Sequence, residues 1–108
     1  MADRPFDHSG IDEVIHGRIR LGVIAYLASV DSAIFAELKE AVGATDGNLS
    51  THLRKLEEAG YVAVRKAFVK RKPQTRLALT HLGRQAWNNW LDRIERLTNA
   101  AGTARIRR

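Results

Sequence analysis

Two short stretches of this chain carry side chains suited to gripping or reading a polyanion. The first lies between Thr45 and Gly60. Placed on a helix at about 100° per residue, Leu49, Leu53 and Leu56 form one narrow apolar seam. Gly47, Asn48, Ser50, Thr51, Arg54 and Lys55 gather across the opposite side. That side offers hydrogen-bond donors, small residues and two cations, with no bulky apolar group. Arg matches the guanine edge, Asn the adenine edge, and Ser or Thr either bases or phosphates, so such a face suits the major groove of double-stranded DNA. Arg54 is the first candidate for a guanine contact, with Asn48, Ser50 and Thr51 as secondary readers. A solvated helix flank would use similar residue types, and the neighbouring sequence decides between the two.

That neighbour is the second stretch. From Arg65 to Arg76 stand Arg65, Lys66, Lys70, Arg71, Lys72 and Arg76, with no acidic residue among them. Like charges so close repel one another unless a partner neutralises them, and a phosphate backbone does so through charge-assisted contacts and counterion release. Pro73 stiffens the same segment. Protection of an edge strand by Lys and Pro is the plainer alternative. The whole chain is similarly lopsided. Residues 1–60 hold 6 Lys/Arg against 10 Asp/Glu, residues 61–108 hold 12 against 2, and the net charge is +6.

Other chemistries find little support. The 108 residues contain no cysteine, which excludes a disulfide framework, a thiolate metal site and a cysteine nucleophile, and fits a reducing, cytoplasmic setting. His8, His16, His52 and His81 are scattered without paired ligand spacing, so no metal site and no cofactor are expected. His52 falls at the edge of the leucine seam, where a packed or capping role fits best. No nucleophile–base pair, phosphate-binding glycine loop or HExxH occurs, so the chain does not read as an enzyme. No apolar run approaches the roughly 20 residues of a membrane span, and the N-terminus lacks the pattern of a signal peptide. With 44% hydrophobic and 28% charged residues, the chain has the composition of one ordinary globular domain.

The elements that must position these residues follow from periodicity. Residues 1–10 read as a flexible arm. Ile11, Val14, Ile15, Ile19, Val23 and Leu27 recur at helical steps, predicting a first helix from Ile11 to about Ser29. Phe35, Leu38 and Val42 predict a second, stopped by Gly43. Its start is less clear, because Ile34 is a poor cap and Ser32 only a candidate. Thr45 caps the third, with Asp46 in its first turn, and Gly60 ends it. Tyr61 to Val69 has the valine and aromatic content of a strand. Lys70 to Gln74 reads as a turn, and Thr75 to Leu79 as a returning strand. Thr80 caps a last helix of about residues 80–100, followed by a basic tail at 101–108. The domain proper is thus 11–100, mainly α with a small β-hairpin.

The runs TDGNLSTHLRKLEEAGYVAVRK (Thr45 to Lys66) and FVKRKPQTRLALTHLGRQA (Phe68 to Ala86) resemble the recognition helix, wing and following helix of winged helix–turn–helix transcriptional regulators of the MarR-like and ArsR-like group. IHGRIRLGVIAYLASV (Ile15 to Val30) resembles that group's first core helix. The resemblance implies a homodimeric repressor or activator whose recognition helix lies in the major groove. Its wing would touch the flanking minor groove or backbone. Carried over by position, Gly47, Asn48, Ser50, Thr51, Arg54 and Lys55 match the DNA-facing helix, and Lys70, Arg71 and Lys72 the wing tip, with Arg76 added from the returning strand. Asp46 would repel phosphate and is assigned to capping. His81-Leu82 stands where such proteins often carry a proline and an acidic residue.

Trp87, Trp90, Leu91, Ile94 and Leu97 are many large apolar groups for a terminal helix facing water. They are expected to form an additional C-terminal dimerisation helix, with Ile11, Val14 and Ile15 as a second strip of the interface. Isologous pairing would set two recognition helices against a pseudo-palindromic operator. A small-molecule effector between the dimer helices near Trp87 and Trp90 is a further candidate, with interface packing the simpler use of those rings. The rival function is a winged-helix module that binds an acidic protein surface or RNA without recognising an operator.

Overall fold

Seven elements form, in the order α1 (Arg18–Ala28), β1 (Ala33–Ile34), α2 (Phe35–Val42), α3 (Asp46–Glu58), β2 (Val62–Val69), β3 (Lys72–Leu79) and α4 (His81–Ile106). The computed structural model describes Phe6 and residues 8–106, the last four by backbone alone. Most of the expected N-terminal arm and the side chains of Arg105, Arg107 and Arg108 lie outside the described residues.

The first helix starts seven residues later than its apolar spacing predicts. Asp12 opens a separate turn, accepting at Oδ1 from the amides of Val14 at 2.8 Å and Ile15 at 3.4 Å. Its carbonyl accepts from the His16 amide at 2.9 Å. Gly17 then takes an extended conformation and precedes α1 without a side-chain cap. The turn and the helix keep nearly the same apolar face inward, so the periodicity runs through the break. Ile15 from the turn and Val23, Ile24 and Leu27 from α1 all enter the core.

Residues Ala33–Ile34 form an unexpected strand. They pair antiparallel with Leu77 and Arg76 of β3, giving a three-stranded sheet in the order β1-β3-β2. This pairing explains the missing cap of α2: Ile34 precedes the helix in an extended conformation and is held by the sheet rather than by a side chain. Gly43 ends α2 with φ of 65°, the left-handed turn that favours glycine. Leu38 of α2, Leu49, Leu53 and Leu56 of α3, and Val62 and Leu77 of the sheet close the core against α1.

The hairpin is also tighter than its composition suggests. Its strands pair from Val62↔Leu79 to Val69↔Lys72, leaving Lys70 and Arg71 as a two-residue loop. Lys72, Pro73 and Gln74, expected in the turn, belong to β3. Beyond it, Thr80 caps α4 through the Gly83 amide at 2.9 Å despite the His81-Leu82 sequence that follows. The helix continues to Ile106, six residues past its expected end. No helix among the described residues is long and apolar enough to cross a membrane.

Candidate nucleic-acid interface

Three anchors set the rotation of α3. Thr45 Oγ1 accepts from the Asn48 amide at 3.2 Å, satisfying one free donor of the first turn. Lys39 of α2 pairs with Asp46 at 2.9 Å, so the carboxylate of the first turn of α3 is already partnered. Leu49, Leu53 and Leu56 are buried beneath. With that seam turned inward, Gly47, Asn48, Ser50, Thr51, Arg54 and Lys55 are all exposed on the other side. Gly47 faces open space, with nothing within 4 Å of where a Cβ would stand. Nothing in the chain itself requires glycine there, although glycine costs a helix up to about 1 kcal/mol relative to alanine. The vacancy leaves room for an outside partner to approach the backbone.

Behind the face, Arg20 Nε donates to His52 Nδ1 at 3.1 Å, and the same guanidinium donates to the Val14 carbonyl at 3.3 Å. Burial first, then the positive charges of Arg20 and Lys55, hold the His52 pKa below the ordinary histidine value. A neutral ring is what an acceptor at Nδ1 requires. His52 therefore braces α3 from behind.

The sheet adds a second wall. Side chains alternate between faces along a strand, so Val62, Val64, Lys66 and Phe68 of β2 share one face, opposite Leu79, Leu77, Thr75 and Pro73 of β3. Ser50, Arg54 and Glu57 of α3 meet Val64, Lys66, Thr75 and Leu77 along an open groove of about 280 Å³. Lys66 and Thr75 thus join the polar face of α3. Strand parity, counted from the buried Val62, was the signal in the sequence that could have selected them. Arg76 does not join it. It lies on the opposite face across from Arg65 and donates to Ser32 Oγ at 2.8 Å, so it secures the base of the hairpin instead.

Lys70, Arg71 and Lys72 are exposed at the tip. Lys70 has φ of 53° and Arg71 of 68°, the left-handed backbone that two-residue hairpins need and that Asn and Gly usually supply. A side chain costs roughly 1–2 kcal/mol per residue there. Two cations occupy the loop despite that strain, and their charge is presented where no carboxylate of the hairpin can meet it.

The expected dimer strip divides. Ile15 is 0% exposed within its own chain, so it is a core residue and offers nothing to a partner. Val14, Trp87 and Trp90 are half-buried against the core. The two indoles stack with centroids 5.5 Å apart and planes 7° from parallel. Trp90 also donates from Nε1 to His16 Nδ1 at 3.3 Å. Further along α4, Leu91 is exposed, and Ile94 and Leu97 line a shallow apolar groove with Thr98 and Ala101. Ile11 is half-buried in the segment before α1.

A helix pair leading into an exposed polar helix, with a cationic hairpin beside it, is the arrangement on which known families can be compared. Residues 19–98 match the family model of a winged helix DNA-binding domain. The chain belongs to that family. A relative from Methanocaldococcus jannaschii, an uncharacterized protein, is 35% identical over 86 residues, spanning 80% of this winged-helix chain and 94% of the relative. The structure of a transcriptional regulator homologue from Pyrococcus horikoshii OT3 superposes with a TM-score of 0.78 at 26% identity. That match covers 83% of this chain and 89% of the other. A MarR-family transcriptional regulator from Silicibacter pomeroyi shares the fold, with a TM-score of 0.61 and 20% identity over 80% of this chain and 57% of that one. In the winged-helix frame, α3 occupies the position of the recognition helix and β2–β3 that of the wing.

Proposed function

We propose that this winged-helix chain is a homodimeric transcriptional regulator that recognises a specific, pseudo-palindromic operator. The observation that carries the reading is the groove in which Ser50 and Arg54 of α3 face Lys66 and Thr75 of the sheet. Base-reading and phosphate-binding groups then act on one stretch of duplex. Arg54 would take a guanine edge, Asn48, Ser50 and Thr51 neighbouring bases, and Gly47 and Lys55 the backbone approach. Lys70, Arg71 and Lys72 would hold the flanking phosphates or minor groove, mostly without regard to sequence. The projecting half of α4, through Leu91, Ile94 and Leu97, supports an isologous interface that pairs two recognition helices.

Selection of bound duplexes from a random pool tests the reading, together with gel shifts at low and high salt and sedimentation of the free protein. The expected result is a dimer that enriches an inverted repeat with half-sites about 34–36 Å apart and binds less tightly as salt rises. A protein that binds no duplex at low salt, or binds all sequences equally, overturns it.

A further inference from the structure

Phe68 keeps 78% of its surface exposed, although it lies on the sheet face that is turned inward nearer the domain. Along β2 that face runs from buried Val62 through half-buried Val64 to exposed Lys66 and Phe68. Lys66 borders the groove beside Arg54, and Phe68 stands two residues, or about 7 Å, further out at ordinary strand rise. Its cross-strand partner, Pro73, is exposed as well. Lys66 shares this face, Lys70, Arg71 and Lys72 follow at the tip, and no acidic residue occurs from Tyr61 to Leu79. The cations select a polyanion, while the ring needs an apolar slot within it. The minor groove of a duplex, with its sugars and base edges, offers both. Half a helical turn, about 17 Å, separates the groove read by α3 from the flanking minor groove. With Phe68 about 7 Å and Lys70 about 13 Å beyond Lys66, the hairpin projects toward that flank.

We propose that Phe68 is an apolar wedge that enters the flanking minor groove and partly unstacks one base step. The wing then reads the deformability of the duplex, which base-edge contacts do not report. Wedges of this kind bend the duplex toward the major groove and favour flexible pyrimidine–purine steps over stiff A-tracts. The inference builds on the DNA-binding reading above.

The test uses the selected operator with either a TA step or an A-tract in the flank. It is titrated with wild type, Phe68→Ala, Phe68→Leu and Lys70→Ala, and the bend is measured by energy transfer between labelled ends. Wild type is expected to bend the duplex and prefer the TA flank. Phe68→Ala should lose bend and preference together, weaken binding roughly 5- to 150-fold, the range for one base–aromatic stack, and keep the salt dependence. Phe68→Leu should retain much of the bend. Lys70→Ala should keep the bend while lowering the salt slope by about one. Because its ring is so exposed, Phe68→Ala should melt like wild type. A Phe68→Ala protein that bends and discriminates as wild type does, or that loses affinity with bend and flank preference unchanged, overturns the wedge and leaves operator binding standing. Wild type that shows no salt-sensitive duplex binding removes the underlying reading as well.

Discussion

The two ends of the β2–β3 hairpin are built on opposite terms. At its base, Gly60 turns with φ of 82°, and Thr80 ties the neighbouring elements together. The Thr80 hydroxyl donates to the Gly60 carbonyl at 2.5 Å and accepts from the Gly83 amide, while its own amide donates to Tyr61 O at 3.0 Å. Tyr61 in turn donates its phenol to Asp12 Oδ2 at 2.5 Å, joining the first turn of the domain to the end of α3. At the tip, Lys70 and Arg71 sit in strained backbone, Phe68 is bare, and the hairpin holds no acidic residue. Redundant bonding at the base lets the tip carry strain and unneutralised charge.

The largest expected effect tests the base. A Cβ on Gly83 would stand 2.1 Å from the Tyr61 carbonyl oxygen and 2.9 Å from its carbon. Both are backbone atoms, so no side chain can swing aside. Gly83→Ala should lose about 3 kcal/mol or more of stability, at the upper end for overpacking, in a urea titration. A variant that unfolds with wild type would mean the α4 junction yields easily, and the contrast between the two ends would collapse.

Next in size is a change on the recognition face, where function and stability should separate. Arg54→Ala should lose roughly 1–3 kcal/mol of operator binding and relax specificity at one base position. Its melting curve should stay close to wild type, since Arg54 is exposed and no core packing depends on it. Equal affinity for the selected operator and its variants in both proteins would remove Arg54 from direct readout.

How far these regions could be read from sequence depends on whether local chemistry or long-range pairing fixes each residue. Thr45, Gly43 and the leucines of α3 act within one or two helical turns, so caps and periodicity located them. The face opposite the leucines followed at once. Ala33–Ile34 is too short to show a period, and its pairing partner lies more than 40 residues away in β3. Asp12 falls within a helical apolar pattern, and its bonds to Val14, Ile15 and Tyr61 leave no periodic signal in the sequence. Ile15 had the correct apolar type for an interface, and only the closed core shows that its own chain encloses it. The wing turn was overestimated because Lys-Arg is not the composition of a two-residue loop. Strained backbone at Lys70 and Arg71 runs against local propensity, and propensity is what composition reports.

That strain gives the third test, of intermediate size. Replacing the loop by Lys70→Asn and Arg71→Gly supplies the residues a left-handed two-residue turn favours. The double variant should gain about 1–2 kcal/mol of stability, less than the summed strain because asparagine keeps part of the left-handed cost and glycine gives the unfolded chain more freedom. Duplex binding should weaken for all sequences, with the salt slope lowered by about two. A double variant that is both more stable and equally tight on DNA would show the tip cations to be dispensable.

The smallest effect returns to the base and depends on pH. Hydrogen bonding to Asp12 first, then burial and the Asp12 charge, push the Tyr61 pKa up from 10.0 to about 12. A raised value means that folding favours the protonated phenol. Its contribution is therefore complete below pH 10 and disappears as pH rises from 10 to about 12. Removing the hydroxyl in Tyr61→Phe should cost about 1 kcal/mol at neutral pH, the net worth of an ordinary hydrogen bond. Above pH 10 the gap between the two proteins should narrow, because wild type alone acquires a phenolate facing a carboxylate. Every other ionisable group is common to the two proteins, so the difference between paired urea titrations isolates Tyr61. A gap that stays constant from pH 8 to pH 12 would mean that the Tyr61–Asp12 link does not hold the base of the hairpin, and that its rigidity comes from Thr80 and Gly83 alone.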